Sequence, residues 1–326
     1  MMKLLATGFC CLVSVFSMGF VVKWGALFTP SLTVGTLTGM SVIPEHVRVA
    51  FQVVEGTPIP LSAAWDRGYR VGQLALSEVA DSEVAAWSAK VRESLQPEGL
   101  RIARPVRTTD GRYLMAGWRA SHYVDGAVAK RVDETVGAAL RLADALASVE
   151  VPNFAVAHVT KQASPKDNFV LADRAAWSED PTLMLNTTVP PEVQATEKWA
   201  WALDFSNRLR HNWQPIDAPD QVGHADMLAT TIFHGTQAPV VTDIVGVAHP
   251  HGYTAAQVMV DGLIAGVVDE RITDRFSHLP DNDQLMLRGL LYRIYIHALS
   301  EEHDETVRAT MEDVADLLIA RIGKDA

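Results

Sequence analysis

The stretch that most constrains this chain runs from Val222 to Val245 and reads VGHADMLATTIFHGTQAPVVTDIV. It contains His224-x-Asp226, then Thr231, a turn through Gly235 and Pro239, and an apolar run that ends at Asp243. Each aspartate stands at the edge of a β-like segment. A hairpin through the glycine turn brings the two carboxylates to one place.

Two carboxylates so placed suit phosphoryl transfer. One orients and deprotonates an attacking hydroxyl, and the other holds Mg²⁺ against nucleotide phosphates. Asp226 is the expected catalytic base and Asp243 the expected metal ligand. The usual pattern, H-x-D-x-x-x-x-N, carries a metal-binding asparagine where this chain has Thr231. A threonine hydroxyl ligates Mg²⁺ in P-loop proteins, so Thr231 is the second expected ligand. His224 is expected to bond across the loop rather than to act as a base.

Composition narrows the partners. A chain of 326 residues, 48% apolar, buries a sizeable core and makes one bilobal unit or two small domains. Its net charge of −11, with no long basic run, argues against a nucleic-acid partner. Cys10 and Cys11 are the only cysteines, which rules out a disulfide framework in the rest of the chain and permits a reducing, cytoplasmic setting. The N-terminus differs from the remainder. No acidic residue precedes Glu45, and residues 4–22 are apolar or weakly polar between Lys3 and Lys23. This run reads as a membrane anchor, as a signal peptide, or as sequence ahead of a true start at Met40. A membrane partner is expected only if residues 1–39 are a real anchor.

Taken in order, 45–54 reads as a helix, and 61–76 as strand, loop, strand, turn and strand. The loop Trp65-Asp66-Arg67-Gly68 lies where a phosphate-covering loop would be, with a single glycine. Asp81 starts a helix over 84–95, and runs at 101–107 and 113–120 flank a hairpin turn at Asp110-Gly111. Residues 45–125 thus predict a small β-rich lobe with one inserted helix. Residues 126–322 predict a helical lobe: helices at 131–149, 198–213, 252–268, 281–299 and 304–322, an extended segment at 168–172 and a proline-bearing loop at 180–197. The whole is α+β. His249 and His251 are expected to be solvent-exposed loop histidines without a metal.

A strand-rich lobe, a helical lobe and the H-x-D…D hairpin, in this order, resemble the aminoglycoside phosphotransferase and choline kinase-like superfamily, whose fold is that of the protein kinases. Its H-G-D-x-x-x-x-N motif falls on His224-Ala225-Asp226 to Thr231, and its metal-ligand motif on Val240-Val241-Thr242-Asp243-Ile244. The phrases AAWSAKVRESL, RIARPVRTTDGRY, AGWRA and ADRAAW resemble an actinobacterial branch of it. The resemblance implies a protein-kinase-like two-lobed fold, and ATP- and Mg-dependent phosphorylation of a hydroxyl on a small molecule. It places a structural acceptor for the catalytic loop on Asp261. It also implies a phosphate-pairing lysine on the third strand, where this chain has Ser77. Arg67 and Gly68 of the loop and Arg104 are the remaining nucleotide-binding candidates. Ser77 and Thr231 keep a second reading open: a catalytically silent kinase-fold protein that binds nucleotide or a protein partner.

Overall fold

The computed structural model describes residues 43–156, 168–300 and 305–323. The readings of residues 1–39 lie outside it. Among the described residues, no helix is long and apolar enough to cross a membrane.

Alternation along Leu74–Glu78 (β3) sets the first layer. Leu74 and Leu76 point to one face, where they join Val71, Trp118 and Ala120 and are covered by Val47 and Phe51 at the helix Glu45–Ala50 (α1). Ala75 and Ser77 point to the other face. Antiparallel partners extend the sheet. Tyr69–Val71 (β2) and Ile59–Pro60 (β1) lie on one side, Trp118–His122 (β7) and Pro105–Val106 (β5) on the other, and Leu114–Met115 (β6) folds onto β7. The expected run 113–120 is therefore two strands. Ala116 and Gly117 take positive φ and make the tight turn between them, in addition to the turn at Asp110-Gly111.

The helix Ser82–Ser94 (α2) starts where Asp81 accepts hydrogen bonds from the N–H groups of Glu83 and Val84, at 2.8 and 3.1 Å. It packs so closely on the hairpin that a Cβ at Gly246 would meet the Trp87 ring at 2.5 Å. This contact brings the next polar positions of the helix, Ser88 and Arg92, over the hairpin.

The helical layer is built on Val132–Leu146 (α3), Tyr253–Ile264 and Asn282–Leu299, all lined by buried apolar residues. Two expectations are corrected here. Residues 168–172 are not extended: Asn168–Trp177 is a helix that buries Leu171, Ala172, Ala175 and Ala176 against Asn282–Leu299. Nor is 180–197 a loop. Pro181–Thr188 and Pro191–Gln194 are helices with proline in their first turn, where its missing N–H costs nothing, and Asp180 caps the first of them through the Thr182 N–H at 3.1 Å.

The focal hairpin carries two ladders. Asp220–His224 (β8) pairs antiparallel with Gly246–Pro250 (β11), His224 facing Gly246. Thr231–Ile232 (β9) pairs with Val240–Val241 (β10), Thr231 facing Val241. β10 also runs parallel to Arg101–Ile102 (β4), which ties the hairpin to the β-rich layer.

Candidate active site

Asp226 and Asp243 both lie between the two ladders. The Ala225 N–H donates to Val245 O at 3.0 Å and the Thr242 N–H to Thr230 O at 2.9 Å, so the loop 226–230 and the segment 242–245 are held side by side. His224 locks them together. Its Nδ1 accepts the Val245 N–H at 2.9 Å, which leaves the proton on Nε2 to donate to Thr230 Oγ1 at 2.7 Å; Thr230 Oγ1 in turn donates to the Asp226 carbonyl at 2.7 Å. Burial pushes the imidazole down to about 4, so it is neutral and holds one tautomer.

Asp226 has an unusual environment. Its Oδ1 is sealed from solvent and has no hydrogen-bond partner. Burial pushes the carboxyl up to about 7, the Arg293 charge opposes this, and the Asp261 charge adds to it. Asp261 itself does not brace the catalytic loop as the resemblance implied. Its two oxygens take Arg293 Nε and Nη2, each at 2.6 Å, in a buried bidentate pair.

Asp243, in contrast to Asp226, is bonded through both carboxylate oxygens. Ser88 Oγ donates to its Oδ1 at 2.6 Å, Arg92 Nε lies 3.4 Å from the same oxygen, and Arg119 Nη2 donates to Oδ2 at 2.8 Å. Burial works against the Asp243 charge, but the two guanidinium groups and the Ser88 hydroxyl outweigh it and hold the carboxyl well below its usual range. Arg119 also pairs with Asp66, and its Nε donates to Ser77 Oγ at 3.2 Å. Trp65, Asp66, Ser77, Arg119, Ser121 and Asp243 enclose a cavity of about 10 Å³, room for about one water molecule.

The other expected residues are placed as follows. Thr231 is buried in the β9–β10 ladder, and its hydroxyl donates to Met227 O at 2.6 Å. The loop Trp65–Gly68 spends its backbone on itself. The N–H groups of Trp65, Asp66, Arg67 and Gly68 donate to Ser62, Ala63, Ser62 and Trp65 carbonyls at 2.9 to 3.0 Å, so they are not a phosphate cradle here. Gly68 serves packing, since a Cβ there would come within 2.1 Å of Leu76 O. Gly68→Ala is therefore expected to cost about 1–3 kcal/mol of stability, read as a lower urea midpoint at unchanged slope. Arg67 is an exposed residue of the loop with positive φ. Arg104 donates to the carbonyls of Arg92 and Glu93 at 3.0 and 2.7 Å, so it closes the end of α2 instead of facing the cavity. His249 is corrected: it is buried, bonded to Asp173 at 2.7 Å and stacked on Trp177, while His251 bonds Asp144 at the surface.

Sequence reasoning missed Ser88, Arg92 and Arg119. Ser88 and Arg92 are one helical turn apart beside the apolar stripe Trp87–Val91–Leu95, and Arg119 falls between the buried Trp118 and Ala120, so it points to the opposite face of β7. Those periodicities were the available signal.

Among the described residues, no three His, Cys, Asp or Glu side chains gather as a metal site. The donors present nevertheless suit a hard cation. Asp243 offers carboxylate oxygens beside a polar cavity, and Mg²⁺ is commonly held by one or two carboxylates together with substrate phosphates and water.

No family model and no curated protein matches the chain. Among solved structures, it is similar to an aminoglycoside phosphotransferase from Alicyclobacillus acidocaldarius at a TM-score of 0.53 and 11% identity, over 90% of this chain and 98% of that one. A choline/ethanolamine kinase family protein from Mesorhizobium loti aligns at a TM-score of 0.45 and 13% identity, over 87% of this chain and 91% of that one. The first likeness carries the fold. With its antiparallel sheet, its helical layer and the double ladder between them, the chain has the α+β, protein-kinase-like two-lobed fold of the aminoglycoside phosphotransferases.

Proposed function

We propose that this protein is a divergent phosphotransferase that transfers the γ-phosphoryl group of ATP to a hydroxyl of a small molecule. The observation that carries this reading is Asp226: a sealed, unpartnered carboxylate oxygen on a group pushed up to about 7, where a general base works best at neutral pH. Asp226 accepts the proton of the attacking hydroxyl as that oxygen bonds to the γ-phosphorus and the bond to the β–γ bridging oxygen breaks. His224, neutral and held at both nitrogens, keeps the Asp226 loop beside Asp243. Mg²⁺, bound through Asp243 with Thr231 as a second candidate, would neutralise charge on the phosphates. Arg67 and Gly68 remain candidate nucleotide contacts only if the loop rearranges; Arg104 would first have to leave the end of α2.

A second reading, a catalytically silent protein that binds nucleotide or a protein partner, is favoured by a different observation. Asp243 is already bonded to two guanidinium groups and a hydroxyl, beside a cavity no larger than a water molecule.

Calorimetric titration with ATP, with and without Mg²⁺, separates the two. Under the first reading the whole chain binds ATP with a requirement for Mg²⁺, and EDTA removes most of the affinity. Asp243→Asn loses most of it as well, because a neutral amide ligates Mg²⁺ less strongly. Thr231→Asn strengthens it if that side chain turns to the metal. Equal, metal-independent affinity in all variants rejects the assignment. No nucleotide binding in any of them favours the silent reading.

A further inference from the structure

Resting on the phosphotransferase reading, we infer that Arg119 is the triphosphate-binding cation of this site and that its bond to Asp243 is a latch exchanged for phosphate oxygens when Mg-nucleotide binds. Position is the first argument. Ser77 on β3 and Arg119 on β7 are direct antiparallel partners, so both side chains project from the same face of the sheet into the same cavity. A cation on β7 therefore reaches the space that a long side chain on β3 would reach.

The bonding of the two buried arginines is the second argument. Arg92 is fixed: Nη1 donates to Ala103 O, Ser121 Oγ and Thr242 O at 2.9, 3.0 and 3.2 Å, and Nε to Ser88 Oγ at 3.3 Å. Its removal would strand two backbone carbonyls. Arg119 bonds instead to Ser77 Oγ and to the carboxylates of Asp66 and Asp243. Carboxylate and phosphate oxygens present the same acceptor geometry to a guanidinium, so these partners are exchangeable for phosphate.

Charge is the third. Arg92 and Arg119 against Asp66 and Asp243 leave the cluster neutral, which suits a closed cleft. A divalent cation held by Asp243 would repel the Arg119 guanidinium, and triphosphate oxygens would attract it, so Arg119 would exchange carboxylate for phosphate as the site fills.

The test compares adenosine, ADP and ATP, each with Mg²⁺, by calorimetry on the full chain. The wild type is expected to bind ATP more tightly than ADP, and ADP more tightly than adenosine. Arg119→Met is expected to lose about 10- to 100-fold in ATP affinity, the range for a hydrogen bond to a charged group, with adenosine affinity within about twofold of wild type. A merely structural role would lower all three alike. The double variant Ser77→Lys/Arg119→Met, with the cation moved to the neighbouring strand, is expected to regain most of the ATP preference. If Arg119→Met does not fold, that double variant alone decides: recovered ATP preference supports the inference, and equal ATP and adenosine affinity overturns it. Wild-type ATP preference in a folded Arg119→Met overturns the inference and leaves the phosphotransferase reading standing. Absence of any nucleotide binding by the wild type overturns both.

Discussion

Asp226→Asn is expected to stop phosphoryl transfer and, above neutral pH, to make the folded protein more stable. Under the phosphotransferase reading, removal of a positioned general base costs about 10²- to 10⁴-fold in turnover, with nucleotide affinity retained because that reading gives Asp226 the hydroxyl and not the phosphates. The stability gain follows from linkage. The Asp226 carboxyl is raised from an ordinary 3.8 to about 7 in the folded state, first by burial. A raised acid contributes fully below its unfolded value and loses that contribution as pH climbs through the folded one, so the wild type weakens between about pH 4 and pH 7. A shift of this size corresponds to about 4 kcal/mol as an upper bound. Asparagine carries no such proton. Urea unfolding should show the advantage of Asp226→Asn over wild type growing from pH 5 to pH 8 by about 2–3 kcal/mol, the part of the loss that falls in that window. Indistinguishable pH dependences would show that Asp226 is not held protonated by burial.

The second large effect lies behind the catalytic loop. Asp261→Ala is expected to cost about 3–5 kcal/mol, because it removes the bidentate carboxylate partner of the Arg293 guanidinium in a site where both side chains are almost fully buried. Asp261→Leu/Arg293→Met, which removes both charges and keeps apolar volume, is expected to recover most of the loss. A single-variant loss under 1 kcal/mol would mean that water reaches the pair. The pair also acts on Asp226: Asp261 raises its carboxyl and Arg293 lowers it. Asp261→Asn should therefore shift the pH dependence of Asp226 toward acid, a change that packing alone would not produce.

Much of the frame was legible before any coordinates. The two aspartates, the glycine turn between them and the apolar run before Asp243 specified the hairpin, because strand alternation and turn chemistry act over a few residues. Asp81 marked the start of α2 for the same reason: its carboxylate caps N–H groups two and three positions on. The helices 131–149, 198–213 and 281–299 announced themselves through apolar spacing, with ends displaced by a few residues. The extended reading of 168–172 failed because a short apolar run fits a strand as well as a buried helix, and only Asn282–Leu299 packed against it decides. The loop reading of 180–197 failed because proline breaks a helix interior but starts a helix comfortably.

The state of the site was decided at long range. Asp243 was readable as a carboxylate at a strand end. That it is bonded to Ser88, Arg92 and Arg119 follows from α2 crossing the hairpin at Gly246 and from β7 lying beside β3, contacts between segments far apart in the chain. Local pattern selects backbone conformation, because hydrogen bonding and side-chain alternation are short-range. Charge neutralisation, burial and the resulting shift at Asp226 depend on which distant groups share a low-dielectric space, and that is a property of the assembled tertiary structure.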